Sequence, residues 1–315
     1  MEINKLIKDK IQHRYVIREE STFLIGNTVE YFLPAETLEE VRAGIEFAKK
    51  KNLPIVVLGR GSDVLFSNEH LNLMVIKVNL DYIKDNGNGL YKVGAGTILN
   101  QFIFKITQDG WTGMEKLIGI PGSVGGGIWA NAGAYGVETK SFVKSVKVIW
   151  LDQDKVEIKN LNNEDCLFSY RDSIFKHRKG LILEAEFEFK DKVTSWEESK
   201  KEILKILKSR QEKHPLNYPN AGSIFKNVIV NDEIQELLGT NFSYNKIPAG
   251  WLIEQVGLKG YKIGDAQFSE KHANFIINLG GATAQDVLEL IELAKVKVKD
   301  KYGIELQEEL IYIDN

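Results

Sequence analysis

Residues 118–136, IGIPGSVGGGIWANAGAYG, decide how the chain is read. Glycines stand at 119, 122, 125, 126, 127, 133 and 136, seven of the 27 in the chain, beside Pro121. Glycine lets a backbone approach a ligand closely and adopt positive φ, so that successive N–H groups can face phosphate oxygens. A second loop of this kind, Gly59-Arg60-Gly61-Ser62-Asp63, follows the apolar run Ile55-Val56-Val57-Leu58, a buried strand by length and composition. Either loop alone reads equally well as a tight turn. The two together point to a phosphate-bearing cofactor such as a dinucleotide. Neither fits G-x-G-x-x-G after a strand or G-x-x-x-x-G-K-[ST], so a Rossmann or P-loop site is not expected.

Working outward, Thr37 to Lys51 reads as a helix, with Thr37 and Glu40 as a capping box and Leu38, Val41, Ile45 and Ala48 on one face. A short strand ending at Val93 opens onto Gly94-Ala95-Gly96, and a helix from Asn100 to Asp109 stops at Gly110. Strands are expected at Val146–Leu151 and at Leu181–Phe189, where Leu183, Ala185 and Phe187 alternate with Glu184, Glu186 and Glu188. A charged helix, Trp196 to Lys213, is closed by Pro215 and marks a domain boundary. Thr283 and Asp286 cap a further helix that stops at Gly303, and Leu306–Ile313 reads as a final strand with Glu308 and Glu309 at its start. No repeat or low-complexity tract interrupts this α+β order.

A chain of 315 residues, 43% hydrophobic and 27% charged, can bury a sizeable core. Net charge is −3 with both signs mixed along the chain, which gives no footprint for nucleic acid and no basic arm for anionic lipid. Cys166 is the only cysteine, so an intramolecular disulfide and a multi-thiolate metal site are excluded. No apolar run approaches the roughly 18 residues that span a bilayer, and the N-terminus MEINKLIKDKIQHRY lacks an uninterrupted apolar core of a signal peptide. A cytoplasmic, monomeric protein without metal is expected.

The order and wording of six segments go further. They are Leu58–Asp63, Ile118–Gly136, Tyr170-Arg171-Asp172-Ser173, the run 220–227 (NAGSIFKN), Pro248–Glu254 and Glu305–Glu309. With these segments in this order the chain resembles the UDP-N-acetylenolpyruvoylglucosamine reductase family over nearly its whole length. It resembles the branch lacking an inserted tyrosine-bearing substrate loop. The resemblance implies a two-part FAD-binding region of the vanillyl-alcohol-oxidase/PCMH type, followed by a C-terminal α+β substrate-binding domain. The corresponding divisions are 1–80, 81–198 and 199–315. It also implies non-covalent FAD, NADPH as reductant, and reduction of UDP-N-acetylglucosamine enolpyruvate to UDP-N-acetylmuramate for peptidoglycan.

In that family the flavin delivers hydride to the enolpyruvyl methylene carbon, and the neighbouring carbon becomes enolate-like. Developing charge must be neutralised and the carbon protonated. By resemblance Arg171 takes the first role, since a guanidinium grips a carboxylate or enolate through a planar fork that lysine cannot copy. Ser223, behind Gly222, takes the second, and Glu309 hydrogen-bonds the enolate or orients the acid. Out of this context Arg171 reads as a surface cation and Ser223 as a turn hydroxyl. Cofactor contacts are expected from Gly59, Arg60, Gly61, Ser62, Asp63, Gly119, Ile120, Pro121, Gly122, Ser123, Gly125, Gly126, Asn131, Gly133 and Ile182. Asp63 is expected to bond backbone or ribose and not to face a phosphate. Tyr170, Lys213, Lys226, Asn227 and His272 are the expected substrate contacts. Two other readings remain: an oxidase of the same flavin superfamily, and a UDP-sugar-binding protein without turnover. Arg171, Ser223 and Glu309 together argue against both.

Overall fold

The structure, a computed structural model, describes residues 5–153, 155–192, 195–229 and 245–315. The chain divides into two compact units that do not follow sequence order. One consists of Met1–Tyr15, Val29–Arg60 and Asn72–Arg210; the other of Val16–Thr28, Gly61–Leu71 and Gln211–Asn315. The loop 59–63 therefore passes from the first unit to the second between Arg60 and Gly61.

In the first unit a four-stranded sheet has the order Gln12–Val16, Thr28–Ala35, Leu71–Val78, Ile55–Leu58. Its last pair is parallel, from Ile55 opposite Met74 to Leu58 opposite Lys77. The helix Leu38–Lys50 joins Thr28–Ala35 to Ile55–Leu58, and it buries Val41, Ile45 and Ala48 as the periodicity predicts. At its start the Thr37 side chain accepts from Glu40 N–H at 3.2 Å, but Glu40 reaches back to Glu36 N–H at 2.8 Å, one residue earlier than the expected box.

The second sheet is antiparallel, ordered Ile158–Asn162, Val143–Trp150, Gly180–Glu188, Leu90–Gly94, Ile83–Asp85. The alternation read in the strand 180–188 is real: Leu181, Leu183, Ala185 and Phe187 are buried. On the other side of that strand Glu184 pairs with Lys147 at 2.7 Å. The helix Leu99–Gln108 covers the apolar face, with Phe102 and Phe187 ring centroids 4.7 Å apart. The three-residue segment Glu164–Cys166 ends at Leu167, and Cys166 is fully buried. Burial first, and then the charge of Asp165, push its thiol up to about 12. The thiolate is the reactive form, so native protein at pH 8 should resist a thiol reagent such as iodoacetamide and react only once denatured. Rapid modification of the native chain would contradict this.

The second unit is built on a sheet ordered Asn220–Ser223, Phe275–Asn278, Ala266–Phe268, Lys262–Ile263. Its core joins Phe23, Ile25 and Leu65 to Ile276, Leu290, Ile291 and Ala294, the last three on the buried face of the helix Ala284–Tyr302. That helix has the capping box read in the sequence, with Thr283 and Asp286, and ends at Gly303 in left-handed conformation. The final strand is shorter than expected: only Ile311–Ile313 is strand, paired in parallel with Val64–Phe66. The preceding residues are drawn off to the serine segment, where Glu308 bridges Phe225. Among the described residues no helix is long and apolar enough to cross a membrane.

Candidate active site

Arg171 sits in a tight turn of the first unit. Ser169 and Asp172 exchange backbone hydrogen bonds of 3.1 and 3.2 Å, and this leaves Arg171 with φ of 55°. A non-glycine residue in that region is strained and persists only where its surroundings hold it. Asn131, fully buried, supplies much of that hold: its Nδ2 donates to Ser169 O at 2.7 Å and its Oδ1 accepts from Lys140 N at 3.0 Å. Ser173 Oγ donates to Trp129 O at 2.6 Å. Asp172 accepts from Ser173 N–H at 2.9 Å and pairs with His177 at 2.8 Å. The guanidinium donates from Nη2 to Gly133 O at 2.6 Å and lies 5.3 Å from the centroid of the half-buried Tyr170 ring.

The glycine segment is used differently from the simplest sequence reading. Many of its amides turn inward: Gly119 N donates to Asn100 Oδ1, Val124 N to Thr97 O, Gly125 N to Ala95 O and Gly127 N to Ser123 O. Ser123 caps the short helix Val124–Trp129, accepting from Gly126 N–H at 3.2 Å. Absent side chains let the backbones meet, since a Cβ on Gly125 would lie 2.8 Å from Ala95 Cβ, and one on Gly59 would lie 2.6 Å from Ser123 Oγ. The two loops therefore adjoin at Gly59 and Ser123, with Ile120 half-buried and Pro121 and Gly126 at the surface. Ile182 is buried in the strand next door, opposite Val148. Arg210, in the last turn of the helix Trp196–Lys213, lays its Cδ against Gly119, and its Nε is buried without a hydrogen-bond partner among the described residues. A side-chain-free surface where two loops meet, with a cation left uncompensated beside it, fits an FAD whose diphosphate and ring oxygens need donor partners.

Ser223 lies in the second unit, on the strand Asn220–Ser223, opposite Phe275. Gly222 before it has φ of +77°, and a Cβ there would meet nothing within 4 Å. The backbone conformation, not crowding, is what asks for glycine. Asn220 Oδ1 accepts from Gly222 N–H at 2.9 Å. Glu309 N donates to Ile224 O at 2.8 Å and Lys226 N to Gln307 O at 2.8 Å, so Ser223 and Glu309 are carried on hydrogen-bonded neighbouring segments. Glu308 is held by Lys295 at 2.5 Å, while Glu309 is half-buried. Glu308 is carried by an isolated bridge to Phe225 and not by a regular strand. In the loop 59–63, Gly61 has φ of +63° and its missing Cβ would fall 1.9 Å from Glu20 O. Asp63 O accepts from Ile311 N–H at 3.1 Å.

Of the expected substrate residues, Lys213 is exposed at the end of its helix and Lys226 is half-buried. Asn227 Oδ1 accepts from Ala249 N–H at 3.1 Å, at the start of the helix Ala249–Gln255. His272 packs against the rings of His214 and Phe275, at 5.5 and 4.9 Å. Burial pulls its pKa below the ordinary imidazole value, so at neutral pH the ring is uncharged. Asn274 N–H donates to its Nδ1 at 3.3 Å, which assigns the ring proton to Nε2.

Arg171, Asn131 and Gly133 belong to one unit and Ser223, Glu309 and His272 to the other. Asn274 escaped the sequence reading. It is 2% exposed, accepts from Phe225 N–H at 3.0 Å, donates to Phe225 O at 2.8 Å, and its own carbonyl accepts from Ile224 N–H. A buried asparagine has no local signature, so its position two residues after His272 was its only signal. Asn274→Ala would orphan both buried polar groups of Phe225, each worth about 1–3 kcal/mol. We expect a lower denaturation midpoint, and a midpoint equal to that of the unaltered protein would contradict the clamp.

Residues 214–313 match the family model described as the C-terminal domain of UDP-N-acetylenolpyruvoylglucosamine reductase, and residues 29–157 match an FAD binding domain. The UDP-N-acetylenolpyruvoylglucosamine reductase of Lachnoclostridium phytofermentans is 35% identical over 304 residues, covering 93% of this chain and 90% of that protein. The protein of that name from Thermotoga maritima is 38% identical over 293 residues, covering 91% and 93%. Among solved structures, the UDP-N-acetylenolpyruvylglucosamine reductase of Thermus caldophilus superposes with a TM-score of 0.75 at 28% identity, covering 96% of this chain and 98% of that one. The strained arginine turn, the paired glycine loops and the serine segment thus occur in a chain matched nearly end to end, and the chain belongs to the UDP-N-acetylenolpyruvoylglucosamine reductase family.

Proposed function

We propose that the chain catalyses NADPH-dependent, FAD-mediated reduction of UDP-N-acetylglucosamine enolpyruvate to UDP-N-acetylmuramate, a step in making peptidoglycan precursor, with Ser223 as the proton donor. Gly59, Arg60, Gly119, Gly122 and Arg210 are residues of the first unit suited to hold FAD, which when bound supplies the hydride after reduction by NADPH. Arg171 neutralises the substrate carboxylate as it takes on enolate character. The strain in its turn favours this role, because a guanidinium fixed before the reaction needs no reorganisation while charge develops. Ser223 Oγ–H gives its proton to the carbon next to the carboxylate. A serine hydroxyl is a weak acid, so the transfer depends on a strongly basic carbon and on groups that steady the resulting alkoxide. Glu309 lies on the segment bonded to Ile224 and orients that exchange. Lys213, Lys226, Asn227 and the neutral His272 are the candidate contacts of the nucleotide sugar, alongside Tyr170.

The observation that carries this reading is the hydrogen bond of Glu309 N–H to Ile224 O, which binds the terminal glutamate segment to the serine segment of a chain in this family. The test is steady-state turnover by purified protein that contains FAD. Consumption of NADPH beyond one equivalent per flavin should require the enolpyruvyl sugar, with UDP-N-acetylmuramate formed in equal amount. Oxygen-dependent NADPH consumption that ignores the sugar would replace this reading with that of an oxidase.

A further inference from the structure

Arg210 is the most unusual cation of the first unit. Its side chain lies on the glycine segment, where a Cβ on Gly119 would sit 2.6 Å from Arg210 Cδ and 3.1 Å from Nε. Nε is shut off from solvent and makes no hydrogen bond among the described residues. No carboxylate of the described residues forms an ion pair with it. A like charge that acts on it is Arg171, which rests on the same segment at its other end, its Nη1 3.1 Å from where a Cβ of Gly133 would be. Burial above all lowers the Arg210 pKa; Tyr135 acts against this, and the charge of Arg171 adds to it. Fold stability does not account for this arrangement. A buried guanidinium with an unbonded N–H, acted on by a second like charge, is a costly state, and an apolar side chain of similar volume would generally be preferred.

An anion removes the cost. It would satisfy the orphan Nε, offset the repulsion between the two arginines, and meet donors set in planar forks. We infer that Arg210 is an anion-binding residue that, together with Arg171, receives one negatively charged oxygen group on the glycine segment 119–133. That group is carried either by the cofactor or by the nucleotide-sugar substrate; the second source rests on the proposed function.

Three proteins test this: the wild type, Arg210→Met, which keeps the apolar stem without the charge, and Arg210→Lys. Apoprotein is titrated with FAD, and reconstituted protein with UDP-N-acetylglucosamine enolpyruvate, at low and high salt. The Met variant should lose about 10- to 100-fold in affinity for one of these ligands, the loss expected for a charge-assisted contact. Lys should retain part of it, and the difference should shrink at high salt. Loss in the FAD titration identifies a cofactor oxygen, and loss confined to the sugar identifies a substrate oxygen. The ligand-free Met variant should melt no lower than the ligand-free wild type, since it has shed a buried unpaired charge. Unchanged affinity for both ligands in a folded Met variant would overturn the inference. So would equal losses in Met and Lys accompanied by a lower melting point, which is the pattern of a structural residue. A wild type that binds FAD but not the sugar would defeat the proposed substrate and leave the FAD titration to decide Arg210.

Discussion

Replacing Ser223 by alanine should slow product formation by about 100- to 10,000-fold, the range for loss of a positioned general acid, while NADPH still reduces the protein at a near-normal rate. The two halves separate because Ser223 is charged with one task, protonating carbon after hydride has arrived. The structure makes alanine a clean probe. The backbone of the segment is fixed by Asn220, which accepts from Gly222 N–H, and by Asn274, which holds both polar groups of Phe225. None of these bonds uses the Ser223 hydroxyl, so its removal should leave the loop in place. Stopped-flow absorbance under anaerobic conditions reads each half directly. Equal slowing of both would mean that Ser223 shapes the cofactor pocket and is not the proton donor.

Arg171→Lys should lower kcat/KM by about 100- to 1,000-fold, as when a preorganised donor to a developing oxyanion is removed. Positive charge survives this change, so the loss measures geometry. Lysine offers a mobile ammonium in place of a planar fork and cannot both donate to Gly133 O and present two parallel donors to a carboxylate. The turn itself should persist, since Asn131, Ser169 and Asp172 hold it through bonds that do not involve the Arg171 side chain. A melting temperature close to that of the wild type with a collapsed kcat/KM is the expected pattern. Activity within a few-fold of wild type would show that a point charge suffices and that the fork is not used.

Elements whose signals are local were legible in the sequence. The helix Trp196–Lys213 was read to its ends because its charged face and Pro215 bound it, and Ala284–Tyr302 because Thr283, Asp286 and Gly303 punctuate it. What failed depends on partners far away in sequence. Residues Leu306–Ile313 alternate as a strand should, yet Glu308 meets Phe225 and only Ile311–Ile313 finds a strand partner, Val64–Phe66. The glycines of 119–127 announced close backbone approach correctly. That several of their amides would be taken by Asn100, Ala95 and Thr97 was not written near them. Likewise the division of the chain, with 16–28 and 61–71 grouped with the C-terminal residues, reflects contacts that no composition shift marks. Nothing in the sequence around Arg210 or Asn274 singles either residue out. Both become notable only through burial.

The reaction itself is tested most directly in a single turnover. Protein carrying FAD is bleached with one equivalent of NADPH without oxygen, and then mixed with UDP-N-acetylglucosamine enolpyruvate. The yellow absorbance should return at a rate no slower than steady-state turnover, with one UDP-N-acetylmuramate formed per flavin. Colour that returns only when oxygen is admitted, with the sugar recovered unchanged, would contradict the proposed reduction.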